Sequence, residues 1–396
     1  MAGHYFLQIP GPTNIPSRVL DAMRLGTINP RGEAFPPLLF EVQERLARLF
    51  GTASGEVVVS AGSGIGAVES AFVNTLAPGE TVLVLVNGFF ATLAADVATK
   101  CGIAVERLAV DPGEALPMEA LAARLRQDDG TIKAVFVVHN ETSTGVTNDL
   151  PAIRRTIDAA GHNALLLVDA VSSLASIEVR FDDWGLDVVA VGCQKGLMLP
   201  PGLAIVCASP KAVAASQEGG SPRNFFDWRP VIAARDTGLL PLTPPTPYFF
   251  ALREALRMLE EEGLDAVYAR HQRLAEGVRQ AVSAWDLTPI GRPGVTLSNS
   301  LTAVRLPDGV GARAVRDAGV RRGLEVGGGI APLHETSIRI AHMGALGELE
   351  VLATIGGVEL ALLECGAPIA PGAGLRAAEA WFATAVPDGV TTGVAP

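Results

Sequence analysis

Residues 187–208 read DVVAVGCQKGLMLPPGLAIVCA. Two short apolar runs flank a loop that holds glycines, one lysine and a pair of prolines. Each run is continuously apolar, as a strand covered on both faces must be. A parallel crossover needs about a dozen or more residues, usually with a helix. The GCQKGLMLPPG connection (192–202) falls just short of that, and Pro200-Pro201 forbids a helix there. The second run is therefore expected to return antiparallel to the first, with Lys195 near the turn. Lysine is costly to bury. This chain has only Lys100, Lys133, Lys195 and Lys211, while arginine carries nearly all its positive charge. Sites form at strand ends in such sheets. Either Lys195 caps a turn, or its amine has a chemical task.

The same pattern extends upstream. Strands are expected at 56–60 (EVVVS), 81–86 (TVLVLV), 134–139 (AVFVVH) and 164–169 (ALLLVD), and again at 187–191 and 203–208. Helical stretches lie between them, near 64–77, 90–101, 117–127 and 150–160. Strands alternating with helices predict an α/β chain with a mostly parallel sheet. After Pro247 the composition changes. Residues 249–285 carry helical spacing of Leu, Ala and Val. Short strands near 300–305 and 336–341, a helix around 346–363 and an amphipathic stretch at 373–384 follow, which reads as a second, α+β domain.

Acidic residues outnumber basic ones, 42 to 31, for a net charge of −11, and no Lys/Arg block appears. An electrostatic nucleic-acid binder is excluded on those grounds. The apolar runs are too short for a spanning helix, so no membrane association is expected. The opening residues lack the basic and apolar pattern of an export leader. The four cysteines (101, 193, 207, 365) show neither CxxC nor metal spacing. A cytoplasmic chain without a metal site is expected.

Three features carry chemistry. GSGIG (62–66) opens a helix after the first strand, but its third glycine comes one residue early for a dinucleotide fingerprint, and no acid follows the next strand. That weighs against a nicotinamide oxidoreductase. What remains is a loop whose backbone N–H groups suit a single phosphate, or else a plain tight turn. Asp169 ends an apolar strand, where a carboxylate is expensive unless paired; it is a structural cap or a partner for a buried cationic nitrogen. Lys195 is the third. Pyridoxal phosphate needs an amine for its covalent link, a carboxylate for its pyridinium nitrogen and a phosphate site. All three occur here, in an alternating α/β chain.

The chain also resembles a known family. IPGPTNIP (9–16), SAGSGIGAVESA (60–71), VNGFF (86–90), HNETSTGV (139–146), LLVDAVSSL (166–174), GCQKGLMLPPG (192–202) and IRIAHMG (338–344) are similar to class V aminotransferases, in particular the serine–glyoxylate and alanine–glyoxylate branch. The likeness runs from about residue 8 to about 365. It implies a fold-type I pyridoxal-phosphate enzyme with a large domain at 16–250, and a small domain formed by 1–15 with 251–396. It implies Lys195 as the Schiff-base lysine and proton shuttle, and Asp169 as partner of the ring nitrogen. Ser63, Gly64, Ile65 and Gln194 are implied to hold the phosphate, Thr142 to bond the cofactor edge and Phe90 to stack on the ring. Arg339 would clamp the substrate carboxylate, beside Gly11 and Pro12. Thr243 would reach the phosphate of the neighbouring subunit in a homodimer whose active sites lie at the interface.

The chain departs from the family at a few positions. It has Leu242 where a tyrosine is usual, Pro30-Arg31 where His-Arg is common, Ile65 in place of a polar residue, and Phe90 in place of a larger aromatic. The implied activity is ping-pong transfer of an amino group from a small amino acid to glyoxylate, with serine as first-choice donor. Alanine and aspartate follow; aspartate needs a second cation, for which Arg31 is the one candidate. A lyase or cysteine desulfurase of the same fold is the rival, and needs a mobile catalytic thiol.

Overall fold

The computed structural model describes residues 5–385. Seven strands form the main sheet, in the order Glu56–Ala61, Leu203–Ala208, Val188–Gly192, Leu165–Asp169, Ile132–Val138, Thr81–Val86 and Ala104–Ala109. Neighbours pair in parallel from Val188–Gly192 to the Ala104–Ala109 edge. Leu203–Ala208 runs antiparallel to both of its neighbours, in the register Ala204 to Gly192 on one side and Ala204 to Ser60 on the other. The short proline-bearing loop turns the chain back as the sequence predicts.

Side chains that alternate along each strand fill two separate cores. Val57, Val59, Leu83, Leu85, Val135, Val137, Leu166 and Val168 face one way. Val58, Val82, Val84, Ala134, Phe136, Leu165 and Leu167 face the other. Period-2 alternation with both faces apolar is what makes these strands continuous hydrophobic runs. The Gly64–Thr75 and Phe89–Lys100 helices cover the second face. The Phe35–Phe50, Leu150–Ala159 and Thr246–Glu262 helices cover the first. The long Thr246–Glu262 helix is anchored there by Phe249, packed edge-on against Phe35 with ring centroids 5.2 Å apart.

One strand of this sheet was not expected. Ala104–Ala109 is the outer edge, and Glu106 and Arg107 on it are partly exposed. With only one covered face it lacks the apolar run that marks its neighbours.

A second sheet has the order Phe6–Gln8, Leu324–Gly328, Ser337–Ala341, Leu301–Arg305 and Thr288–Pro289. The Leu264–Ala284, Ala312–Val320, Glu348–Glu364 and Ala373–Phe382 helices pack into its core. Phe6–Gln8 pairs in parallel with Leu324–Gly328. The chain then crosses to the main sheet, where Thr13 N donates to Gln194 O (3.1 Å) and Thr13 Oγ1 to Lys195 O (3.0 Å). Sequence periodicity missed Phe6–Gln8 and Leu324–Gly328, because three residues define no period and LEVGG ends in glycine. Among the described residues, no helix is long and apolar enough to cross a membrane.

The lysine turn is tightly packed. Met198 N donates to Lys195 O (2.9 Å), and Leu199 N to Cys193 O (3.0 Å). Gly196 lies against the backbone of the segment after Asp169: an added Cβ would collide with Leu174 O and come within 3.0 Å of Ala175 C. Those atoms are backbone and cannot step aside. Gly196→Ala should therefore destabilise the fold by about 1–3 kcal/mol, the range for overpacking. Urea denaturation of the cofactor-free protein reads this directly; an unchanged midpoint would mean the turn is not held against that segment.

Candidate active site

The main sheet delivers its polar residues to one edge. Asp169 is the last residue of its strand. Gln194 and Lys195 follow Val188–Gly192, and Thr142 follows Ile132–Val138. Ser63 and Gly64 follow Glu56–Ala61, and Phe90 follows Thr81–Val86. These five strands are mutually parallel, so all these residues meet at their carboxyl ends, where open α/β sheets form a crevice. The crevice has a volume of about 230 Å³, and Ser63, Gly64, Ile65, Phe90, Thr142, Asp169, Gln194 and Lys195 are among the residues that line it.

Asp169 and Lys195 face this space without pairing. Asp169 Oδ1 accepts from Val171 N at 2.8 Å, and no ion pair joins it to Lys195. Burial pushes its carboxyl up to about 7; the nearby Glu141 charge adds to the rise, while the Val171 N–H and Lys195 oppose it. Burial likewise lowers the Lys195 amine to about 8, helped by the charge of Arg339 and opposed by Asp169. Lys195 Nζ donates to the carbonyl of Pro10. Gly11 packs so closely on the lysine that its side chain occupies the space a Gly11 Cβ would need. Pro12 follows directly, so the crossing segment from the second sheet forms one wall around the amine.

Arg339 comes from the second sheet. Its Nε donates to Gly328 O (2.7 Å) and its Nη1 to Thr142 O (3.3 Å). Burial lowers its guanidinium to about 10; Glu141 opposes the drop and the neighbouring Arg316 adds to it. A guanidinium anchored through backbone carbonyls keeps donors free for a carboxylate.

The opposite end of the crevice is built to receive an anion. Ser63 caps the Gly64–Thr75 helix, its Oγ accepting from Gly66 N at 3.4 Å. Gly64 N and Ile65 N have no acceptor among the described residues. Gln194 stands at the same crevice; its Oε1, an acceptor, is buried without a donor. Ile65 turns its side chain outward, 41% exposed, so that only its backbone can serve here. Unpartnered donors at a helix N-terminus are a ready phosphate cradle.

Thr243 lies elsewhere. It is exposed, beside Leu242 and Phe225 in a separate groove against Val59–Ala61. Arg31 is exposed and does not line the crevice. The two histidines near strand ends are structural. His342 is buried between Asn299 O and Thr302 Oγ1, both at 3.0 Å, and His139 packs edge-on against Trp184. Burial lowers their imidazoles to about 3 and about 4. The Cys193 thiol is buried and bonded to Pro200 O (3.0 Å) and Leu203 N (3.2 Å).

Sequence reasoning passed over Glu141, Asn140 and Pro10. Asn140 Nδ2 joins Ser172 Oγ (2.9 Å) to Ser300 Oγ (2.8 Å), tying the crevice floor to the second sheet's side. Glu141 is the only charged residue in HNETSTGV apart from a histidine, and that isolation in a buried run was the available signal. Pro10 contributes a carbonyl, for which side-chain chemistry carries no signal.

Comparison with known proteins agrees with this geometry. The family model described as Aminotransferase class-V matches residues 5–329. A serine–glyoxylate aminotransferase of Methylorubrum extorquens is 42% identical over 96% of both chains. An L-aspartate–glyoxylate aminotransferase of Paracoccus denitrificans is 38% identical over 94% of both. Among solved structures, the ureidoglycine–glyoxylate aminotransferase of Bacillus subtilis superposes with a TM-score of 0.89 at 27% identity, covering 97% of this chain and 99% of that one. A family match over most of the chain, together with relatives about 40% identical over nearly its whole length, shows that the chain belongs to the class V aminotransferases.

Proposed function

We propose that this chain is a pyridoxal-phosphate aminotransferase that moves the amino group of serine to glyoxylate, the two substrates using one cleft in turn. The observation that carries this reading is the Asp169–Lys195 arrangement: two buried, oppositely charged groups that share a crevice and leave each other unpaired. A planar cation-bearing ring fits between such groups. Asp169 would take the ring nitrogen, and Phe90 and Thr142 the ring face and edge. Gly64, Ile65, Ser63 and Gln194 would take the phosphate at the unpartnered helix start. When bound, the cofactor supplies an electron sink for the pair left at the substrate's Cα.

The protein's own groups do the rest. Arg339 holds the substrate carboxylate and so fixes which Cα bond faces the ring. Lys195 carries the proton that leaves Cα; an amine lowered to about 8 is suited to both accepting and returning it near neutral pH. The wall formed by Pro10, Gly11 and Pro12 limits the room beside the amine. Donors small enough for that room are favoured. Arg31 stands outside the crevice, which leaves aspartate without the second cation it needs from this chain. Alanine is the nearer alternative.

A homodimer with shared active sites is part of the proposal. Phe225 and Leu242, 48% and 38% exposed, share the groove with Thr243, an apolar surface that a second copy would cover. Thr243 would then reach the phosphate in the neighbouring subunit. Within the chain, the proposed large domain spans 16–250 and the small one 1–15 with 251–396. The Thr246–Glu262 helix links them while keeping its apolar face in the core of the former. A cytoplasmic location completes the reading.

Three measurements test it. Borohydride reduction of the loaded enzyme should fix the cofactor on the peptide that carries Lys195, and Lys195→Ala should lose turnover by roughly a thousandfold or more. Label on another peptide refutes the assignment. The same preparation should make glycine and hydroxypyruvate from glyoxylate and serine; failure with serine, alanine and aspartate alike would overturn the proposed activity.

Arg339→Lys keeps the charge and loses the fork. Both half-reactions should then weaken, because donor and acceptor each present a carboxylate. Loss confined to one of them would place the other's carboxylate elsewhere.

The third test follows from the raised carboxyl of Asp169. A group held above its unfolded value of 3.8 contributes stability below that pH, and the contribution is lost as pH rises toward 7. Cofactor-free Asp169→Asn escapes this loss. It should be more stable than cofactor-free wild type at pH 8, by up to about 4 kcal/mol, with little difference near pH 4. Urea denaturation at the two pH values measures it. Equal stability at pH 8 would show that Asp169 finds another partner in the folded protein.

A further inference from the structure

The Phe89–Lys100 helix begins without a cap of its own. Its N-cap residue is Gly88, which has no side chain to offer. A buried helix start still needs acceptors for its first N–H groups. They come from the HNETSTGV run. Glu141 Oε2 accepts from Phe90 N at 3.0 Å and from Ala91 N at 3.2 Å. Ser143 Oγ accepts from Phe89 N at 2.9 Å. Glu141 Oε1 in turn accepts from Ser143 N at 3.0 Å and from Ser143 Oγ at 2.6 Å. Glu141 and Ser143 together therefore serve the first three N–H groups of the helix, and they are 0% and 2% exposed.

Gly88 is complementary to this arrangement. Its backbone is extended, with φ 177, a conformation open to any residue. The constraint is space: an added Cβ would run into the Glu141 side chain and lie 2.5 Å from Ser143 Oγ. The carboxylate that an N-cap residue would normally supply comes instead from a different strand, Asn140–Glu141, packed directly against Gly88. There it also does what a carboxylate does at any helix N-terminus, meeting the positive end of the dipole.

The placement matters because of what the helix carries. Phe90 is its second residue and lines the same crevice as Lys195. Three anchored N–H groups fix the backbone on both sides of that ring. The same carboxylate lies near enough to Arg339 to favour its charge, and near enough to Asp169 to disfavour the charge there.

We propose that Glu141 is a positioning residue of this site: it supplies the cap that Gly88 cannot, and through the Phe90 backbone it holds the Phe90 ring in place against the bound cofactor. This rests on the reading of the crevice as the pyridoxal-phosphate site. It goes beyond that reading by assigning the ring's placement to a residue that need not touch the cofactor.

The test joins hydrogen exchange on the cofactor-free protein to cofactor affinity by equilibrium dialysis. In Glu141→Ala, the amides of residues 89–91 should exchange about tenfold faster while strand amides of the main sheet keep their protection. The dissociation constant for pyridoxal phosphate should rise about tenfold, the size expected when a cap is lost. Glu141→Gln keeps the volume and one oxygen for Phe90 N and Ala91 N but sets its amide N–H groups against Ser143 N–H; it should shift both readings in the same direction by a smaller factor, and it serves as the readout if the alanine variant does not fold. Gly88→Asp added to Glu141→Ala places a carboxylate at the N-cap position, in the space the glutamate vacated. It should restore both protection and affinity.

Unchanged exchange or unchanged affinity in the single variants overturns the proposal. So does a double variant that regains protection without regaining affinity, since the cap would then not be what places the ring. Borohydride labelling of Lys195 in the wild type is the separate control. If it fails, the reading of the crevice falls; if it succeeds and the variants disagree, the role of Glu141 alone falls.

Discussion

Asp169 and Lys195 are buried within one crevice, of opposite charge, and not joined. That is an expensive state for a folded protein. Each group is pulled toward its neutral form by burial, the carboxyl up to about 7 and the amine down to about 8. Direct pairing would relieve both. They nevertheless stay unpaired, although they belong to adjacent parallel strands, Asp169 as the last residue of one and Lys195 beyond the end of the next. The amine instead donates to the Pro10 carbonyl, and the carboxylate accepts from the Val171 N–H. The rest of the structure can be read as what keeps the pair apart.

Much of that work falls to the segment around residues 10–13. Its preceding strand belongs to the second sheet, while Thr13 is bonded to the Gln194–Lys195 backbone of the first. A shift of one sheet against the other would drag the acceptor of the lysine amine with it. Arg339 has the same double allegiance, since it stands on the second sheet and donates to Thr142 O of the first. Asn140 adds a third tie through Ser172 and Ser300. The Lys195 amine, the Arg339 guanidinium and the crevice floor are therefore registered to each other by hydrogen bonds between segments of the two sheets.

The main sheet was legible in the sequence for a physical reason. Strands covered on both faces must be apolar throughout, so EVVVS, TVLVLV and ALLLVD announce themselves, and the Pro200-Pro201 loop forces the one reversal. Ala104–Ala109 escaped because an edge strand with one wet face carries Glu106 and Arg107. Lys195 and Asp169 were legible because charge is anomalous at the end of an apolar run. Thr142, Phe90 and Arg339 came only through likeness to a family, since nothing in their own residue type or spacing marks them. Glu141 escaped both routes. Its role depends on the absence of a side chain at Gly88, fifty-three positions away, and no local pattern links the two.

Glu141 also changes how the charges of the site should be understood. Lys195 and Arg339 are the basic groups, Asp169 and Glu141 the acidic ones, burial pushes both carboxyls up, and the charge of Arg316 also weighs on Arg339. Without Glu141, Arg339 would lose the carboxylate that opposes the effect of burial and of Arg316, which together pull its guanidinium down to about 10. An arginine meant to receive a carboxylate cannot be tied up in a salt bridge, because the substrate would have to break it. Nor can it be left without a counter-charge, because desolvation would then weigh on it fully. Placing the glutamate's lone pairs on the backbone of the Phe89–Lys100 helix and on Ser143 resolves the conflict. The negative charge acts on Arg339 through space, while its hydrogen-bonding capacity is committed elsewhere. A single buried side chain thus caps one helix and offsets part of the burial of Arg339, the residue proposed to clamp the substrate carboxylate.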